Sequence, residues 1–132
     1  MPTFAAEVTA VAYADTEADY NKAKGRIPVP FERLETALKK QGNGPFFNGS
    51  KYSLVDASYA PFLQRYFFLD RIKPLGHIEK YPRLKAWATA LMARPSTHSF
   101  PAAEFEAMYR ANVKRRNKWI SQFIEAPRVA AA

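Results

Sequence analysis

The sequence predicts an all-α fold, a helical bundle, and three observations carry that reading. Apolar residues recur at three- and four-residue spacing over long stretches, glycines and prolines punctuate those stretches, and alternating runs of β-branched residues that would mark strands are scarce. The pattern calls for at least five helices.

A first helix is expected from Phe4 to about Lys24, with Phe4, Val8, Val11 and Ala12 as its apolar positions and a polar continuation through Asp15, Thr16, Glu17 and Asp19. Gly25 reads as its end. Pro28 and Pro30 reset the chain, after which Phe31, Leu34 and Leu38 repeat at helical spacing up to Lys40. Gly42, Gly44 and Pro45 break that second helix, and Phe46-Phe47 followed by Asn48-Gly49 reads as a packed loop. From Ser53 to about Leu69, the residues Leu54, Ala57, Ala60, Leu63 and Phe67 mark a wide apolar surface suited to a central helix. Pro61 lies inside it; a proline there lacks the amide donor and crowds the preceding turn, which predicts a bend rather than two helices. Lys73-Pro74-Leu75-Gly76 is the next break. Tyr81-Pro82 then opens a helix whose buried stripe is Leu84, Trp87, Ala88 and Leu91 and which Arg94-Pro95 closes. The last helix, about Ala103 to Phe123, places Phe105, Tyr109, Trp119, Ile120 and Phe123 near one face.

A chain of 132 residues can bury a real core without metals or disulfides, and residues 1 to 132 read as a single domain. No apolar run approaches the roughly 20 residues of a membrane span, and Met1 to Ala6 carries no leader pattern, so no membrane association and a cytoplasmic location are expected. The sequence contains no cysteine, which removes disulfides, thiolate ligands and cysteine nucleophiles from its chemistry. The net charge of +8 gathers partly in Arg110, Lys114, Arg115, Arg116, Lys118 and Arg128, with Glu125 the nearby acid. That run reads as the wet side of a helix; nucleic acid is not expected as a partner, because the aromatic residues beside it have core spacing rather than a stacking arrangement.

Few residues offer chemistry. His77 and His98 stand apart, without a second ligand at helical spacing, so no metal site is expected. Glu104 and Glu106 fall on different helix faces and do not make an acid and base pair. Gly42 and Gly44 lack the lysine and the strand of a phosphate loop. Ser53-Leu54-Val55-Asp56 has the form of a capping box, in which Ser53 accepts from a first-turn amide and Asp56 reaches back to the Ser53 amide. As caps, each is expected to contribute about 1 kcal/mol or somewhat more.

The surroundings of that box are more specific. Gly44-Pro45-Phe46-Phe47-Asn48-Gly49-Ser50-Lys51-Tyr52-Ser53-Leu54-Val55-Asp56-Ala57 resembles the stretch that leads into the sixth helix of glutathione transferases, and Tyr81-Pro82-Arg83-Leu84-Lys85-Ala86-Trp87 through Ala93-Arg94-Pro95-Ser96 resembles the helix that follows. The resemblance covers about Phe31 to Phe100, and Phe4 to Gly25 as the rest of the family's long fourth helix. It implies the all-helical C-terminal half of such a protein. The half with the thioredoxin-like fold, which binds glutathione and activates its thiol, has no counterpart in the sequence, which leaves a fragment and a shortened relative equally open.

From the resemblance, this chain supplies the wall for a hydrophobic co-substrate, with Tyr13 and Tyr66 nearest that pocket, and has no catalytic residue or cofactor of its own; glutathione is the co-substrate of the parent family. Its expected partners are a thioredoxin-like domain or a second copy of the chain, together with a hydrophobic small molecule. A non-catalytic interaction module is the alternative reading. With the other half absent, Phe4, Val8 and Val11 are expected to face water and to drive self-association.

Overall fold

The computed structural model describes residues 3–41, 44–95 and 102–124. Six α-helices form among them: α1 (Phe4–Ala12), α2 (Glu17–Arg26), α3 (Pro28–Gln41), α4 (Leu54–Ile72), α5 (Pro82–Ala93) and α6 (Ala102–Arg115). Two short 3₁₀ turns, Ile78–Lys80 and Trp119–Phe123, complete the path, and no strand is present among the described residues. The all-α class is therefore confirmed.

The first expected helix is two. Thr16, read as part of a continuous polar helix, instead takes extended backbone and accepts a hydrogen bond from the Asp19 amide, so it caps α2. The two helices fold into a hairpin that Glu7 of α1 and Arg26 of α2 clamp with an ion pair of 2.8 Å. Gly25 does not end α2 but lies inside it. Only the buried Ile27 separates α2 from α3, and Pro28 and Pro30 sit in the first turn of α3, where amides have no helical partner to lose.

At the other end, the last expected helix stops early. Asn117 adopts a left-handed conformation (φ 53°), the Lys118 amide returns to the Val113 carbonyl and the Asn117 amide to Lys114. These are the two bonds of a Schellman ending, and asparagine is one of the few residues that enters this region at low cost. The chain then turns back, and the Trp119 amide donates to the Ala14 carbonyl at 2.9 Å, tying the C-terminal turn to the α1–α2 corner. Tyr20 and Trp119 pack with ring centroids 4.6 Å apart beneath that bond.

α4 runs at the centre with Pro61 inside one helix. Around it lies a core that includes Phe4, Val8, Val11, Tyr20, Phe31, Leu63, Phe68, Leu84 and Trp87. Phe4, Val8 and Val11 are thus 3%, 0% and 0% exposed, against the expectation that they face water. The reason is that α1 packs directly on α2 and α4, so its apolar side is covered from within the chain. Self-association through that surface loses its basis.

Candidate functional site

The turn before α4 is a tight two-residue hairpin in which Phe46 and Gly49 exchange both backbone hydrogen bonds. Gly44 stands so close to Gly49 that an added Cβ would lie 2.4 Å from its carbonyl carbon, and its φ of 135° is one that side chains avoid. That geometry aims the Phe47 amide inward at Asp56. The Asp56 carboxylate, fully buried, accepts from the Phe47 amide (2.9 Å), the Ser53 amide (2.8 Å), the Ser53 hydroxyl (3.0 Å) and the Trp87 indole N–H (2.7 Å). Burial pushes this carboxyl up, and the four hydrogen bonds outweigh it and hold it below the usual aspartate range. Ser53 and Asp56 close the capping box, and the same carboxylate fastens α5 and the preceding loop to α4. Its task is structural, since every lone pair is directed at a protein donor.

α5 has no cap of its own, because its N-cap residue is Tyr81. Glu35 of α3 supplies the missing acceptor, taking hydrogen bonds from the Arg83 amide (3.1 Å) and the Leu84 amide (2.6 Å). Arg83 returns the favour through a 3.3 Å bond from its guanidinium to the Leu38 carbonyl in the last turn of α3. Sequence reading did not find Glu35, since nothing local connects it to a helix that starts nearly fifty residues later.

The structure separates the two tyrosines of interest. Tyr66 is fully buried among Phe4, Phe31 and Phe67, with ring centroids 6.3, 5.1 and 5.9 Å away. Burial, and after it the Asp70 charge, pushes its phenol well above the usual range. Tyr13 is half-buried just past α1; its hydroxyl accepts from the Asn112 amide at 2.9 Å and its ring lies 5.6 Å from the Arg116 guanidinium. From Asn112 the contacts continue along α6. Tyr109 and Phe105 pack on Phe68 of α4 at 5.7 and 5.2 Å, and Arg65 lies 5.2 Å from the Phe105 ring and 5.5 Å from the Phe62 ring. Tyr13, Phe62, Arg65 and Phe105 are all partly exposed, and this aromatic surface carries two cations, Arg65 at the Phe62 and Phe105 rings and Arg116 at the Tyr13 ring. Phe62 and Arg65 were legible only as one helical turn; their meeting with Phe105 is tertiary.

Beside this surface, the first half of α4 is open. Leu54 is 85% exposed, and Ser58 and Pro61 follow it at helical spacing, also exposed, before Arg65. Among the described residues no helix is long and apolar enough to cross a membrane. No group of three potential metal ligands gathers among them. His77 donates from Nε2 to the Lys24 carbonyl (3.0 Å), whereas His98 lies outside the described residues. Glu106 is held by Arg71 and Arg110, the latter at 2.8 Å, and Glu104 is exposed on another side. Of the basic run, Arg110, Arg115, Arg116 and Lys118 each have a partner in Glu106, Asn112, Tyr13 and Asp15, and Arg128 lies outside the described residues.

Comparison with known proteins agrees with this architecture. The family described as glutathione S-transferase, C-terminal domain, matches residues 2–95. The chain belongs to that family. It is 47% identical over 58 residues to glutathione S-transferase L1 of Arabidopsis thaliana, which covers 43% of this chain and 24% of the relative. With protein IN2-1 homolog B of Oryza sativa subsp. indica it shares 36% identity over 89 residues, covering 62% of this chain and 36% of the relative. With glutathione S-transferase omega-1 of Sus scrofa the figures are 30% over 82 residues, 62% and 32%. The matched part is thus about a quarter to a third of each relative. No solved structure matches.

Proposed function

We propose that this chain forms the co-substrate side of a glutathione-transferase-type enzyme, which becomes competent only when a thioredoxin-like domain carrying glutathione packs against α4. The observation that carries the reading is the open face of α4: a leucine 85% exposed in the first turn of the central helix, in line with Ser58 and Pro61, beside a surface of Tyr13, Phe62, Arg65 and Phe105. An uncovered face on the central helix, carrying an exposed leucine and proline, is where a second domain gains from docking.

On this reading a hydrophobic electrophile rests on Phe62 and Phe105, and the Arg65 guanidinium and the Tyr13 hydroxyl orient its polar end. Tyr66 supports the wall from beneath. The thiolate comes from glutathione on the partner domain, because the chain has no cysteine to supply one. The reading places the chain in the cytoplasm, and it replaces self-association through α1 with docking through α4.

The test is reconstitution with the separately expressed thioredoxin-like half of the Arabidopsis relative. Expected are binding that Leu54→Glu weakens at least tenfold, no turnover of a hydrophobic electrophile by this chain alone, and turnover by the pair with a raised KM in Arg65→Ala. Docking without turnover would favour the non-catalytic interaction module instead. Absence of docking, or turnover by the chain alone, would overturn the proposal.

A further inference from the structure

A cleft of about 300 Å³ opens at the other side of α3, between the start of α1, the loop before α4 and α4 itself. Its walls are Phe4, Pro30, Leu34, Phe47 and Tyr59, with Thr3 and Ala37 at the edges. Arg33 is the one charged residue in the lining. The cleft shares no lining residue with the surface of Phe62, Arg65 and Phe105. It continues into a groove along α3 formed by Val29, Glu32, Thr36 and Lys40, and Arg33 and Ala37 line both.

Arg33 differs from the other described arginines. Arg26, Arg71 and Arg110 are held by carboxylates, Arg83 and Arg115 by oxygen acceptors, Arg65 by the Pro61 carbonyl, and Arg94 and Arg116 by aromatic rings. Arg33 has no hydrogen bond, ion pair or ring contact with any described residue. A guanidinium left unpaired at the mouth of an apolar cleft is arranged for a bidentate carboxylate whose own body is apolar. The volume is at the lower end of small-molecule sites, which typically begin near about 300 Å³ and combine apolar walls with few polar groups.

We propose that this cleft binds a small aromatic carboxylate, its ring between Phe4, Leu34, Phe47 and Tyr59 and its carboxylate on Arg33. The Tyr59 ring stands 6.4 Å from Phe4 and 5.5 Å from Trp87, so an occupant would sit within reach of the indole that Asp56 holds. Binding therefore has a direct optical reporter.

The probe is 2-naphthoate, titrated by calorimetry and by tryptophan fluorescence, with methyl 2-naphthoate as the uncharged control. Expected is saturable one-to-one binding that is weakened about tenfold or more by Arg33→Gln and by the ester, and abolished by Ala37→Phe, which fills the cleft. Arg33 is exposed, so its replacement should leave the thermal midpoint unchanged; Ala37→Phe is read only if its circular dichroism and melt match the parent. Binding to the parent that Arg33→Gln leaves intact, equal affinity for the ester, or no binding at millimolar probe would each overturn the assignment.

Discussion

Asp56 and Glu35 do the same work at the start of two different helices, and they differ in how far along the chain they reach. Asp56 caps its own helix with Oδ2, three residues from the N-cap, and offers its other oxygen, Oδ1, to Phe47 and Trp87. Glu35 caps α5 from α3 and has no local partner except Lys39 at 4.0 Å. The helix with a local cap, α4, begins where the sequence says, directly after Ser53. α5, which starts with tyrosine at the N-cap, depends on α3 being docked before its first amides are satisfied. Local signals nucleate an element; non-local ones make it conditional on the fold.

The largest expected effect tests whether Asp56 is more than a cap. Asp56→Ala strips an acceptor from two backbone amides, a hydroxyl and an indole in a buried place, so a loss of about 3 kcal/mol or more is expected, above the 1 kcal/mol of a simple cap. Urea denaturation followed by far-UV circular dichroism gives the value, and a loss of about 1 kcal/mol would reduce Asp56 to a local cap. Glu35→Ala should cost about 2 kcal/mol by leaving the Arg83 and Leu84 amides without acceptors, while Glu35→Gln, which keeps one acceptor oxygen, should cost about half as much. Hydrogen exchange sharpens this: Glu35→Ala should accelerate the first turn of α5 while leaving the first turn of α4 protected. Equal loosening of both would end the contrast between local and tertiary capping.

Smaller again is Ser53→Ala, at about 1 kcal/mol by thermal melt, since Asp56 keeps its bonds to the Ser53 amide, Phe47 and Trp87. The pH dependence is the finest probe. The folded Asp56 carboxyl lies below its unfolded value, so its stabilisation is complete above that value, near pH 4, and is lost as pH falls through the folded one. Glu106, where hydrogen bonds and charges from Arg71 and Arg110 outweigh burial, acts in the same direction. Stability should therefore fall from about pH 5 downward, and Asp56→Asn should be less stable at pH 7 and lose less on acidification. An unchanged acid slope in that variant would show that Asp56 does not carry the linkage.

The sequence by itself determined the all-α class, the extents of α4 and α5 to within a few residues, the capping box and the family. These rest on signals confined to one or two turns: apolar spacing, a proline at a helix start, a Ser-x-x-Asp box, and a loop whose glycines permit a close approach. Tertiary structure decided what those signals could not reach. Thr16 became a cap because α1 and α2 fold back on each other. Asn117 ended α6 so that Trp119 could return to Ala14. Phe4, Val8 and Val11 were covered by this chain's own helices. Glu35 met α5, and Arg65 met Phe105, across separations at which sequence carries no periodic trace. The physical reason is common to all of them: helix spacing shows which face is apolar, but which helix covers that face, and which polar group lands on an open helix end, follows only from how the faces pack together.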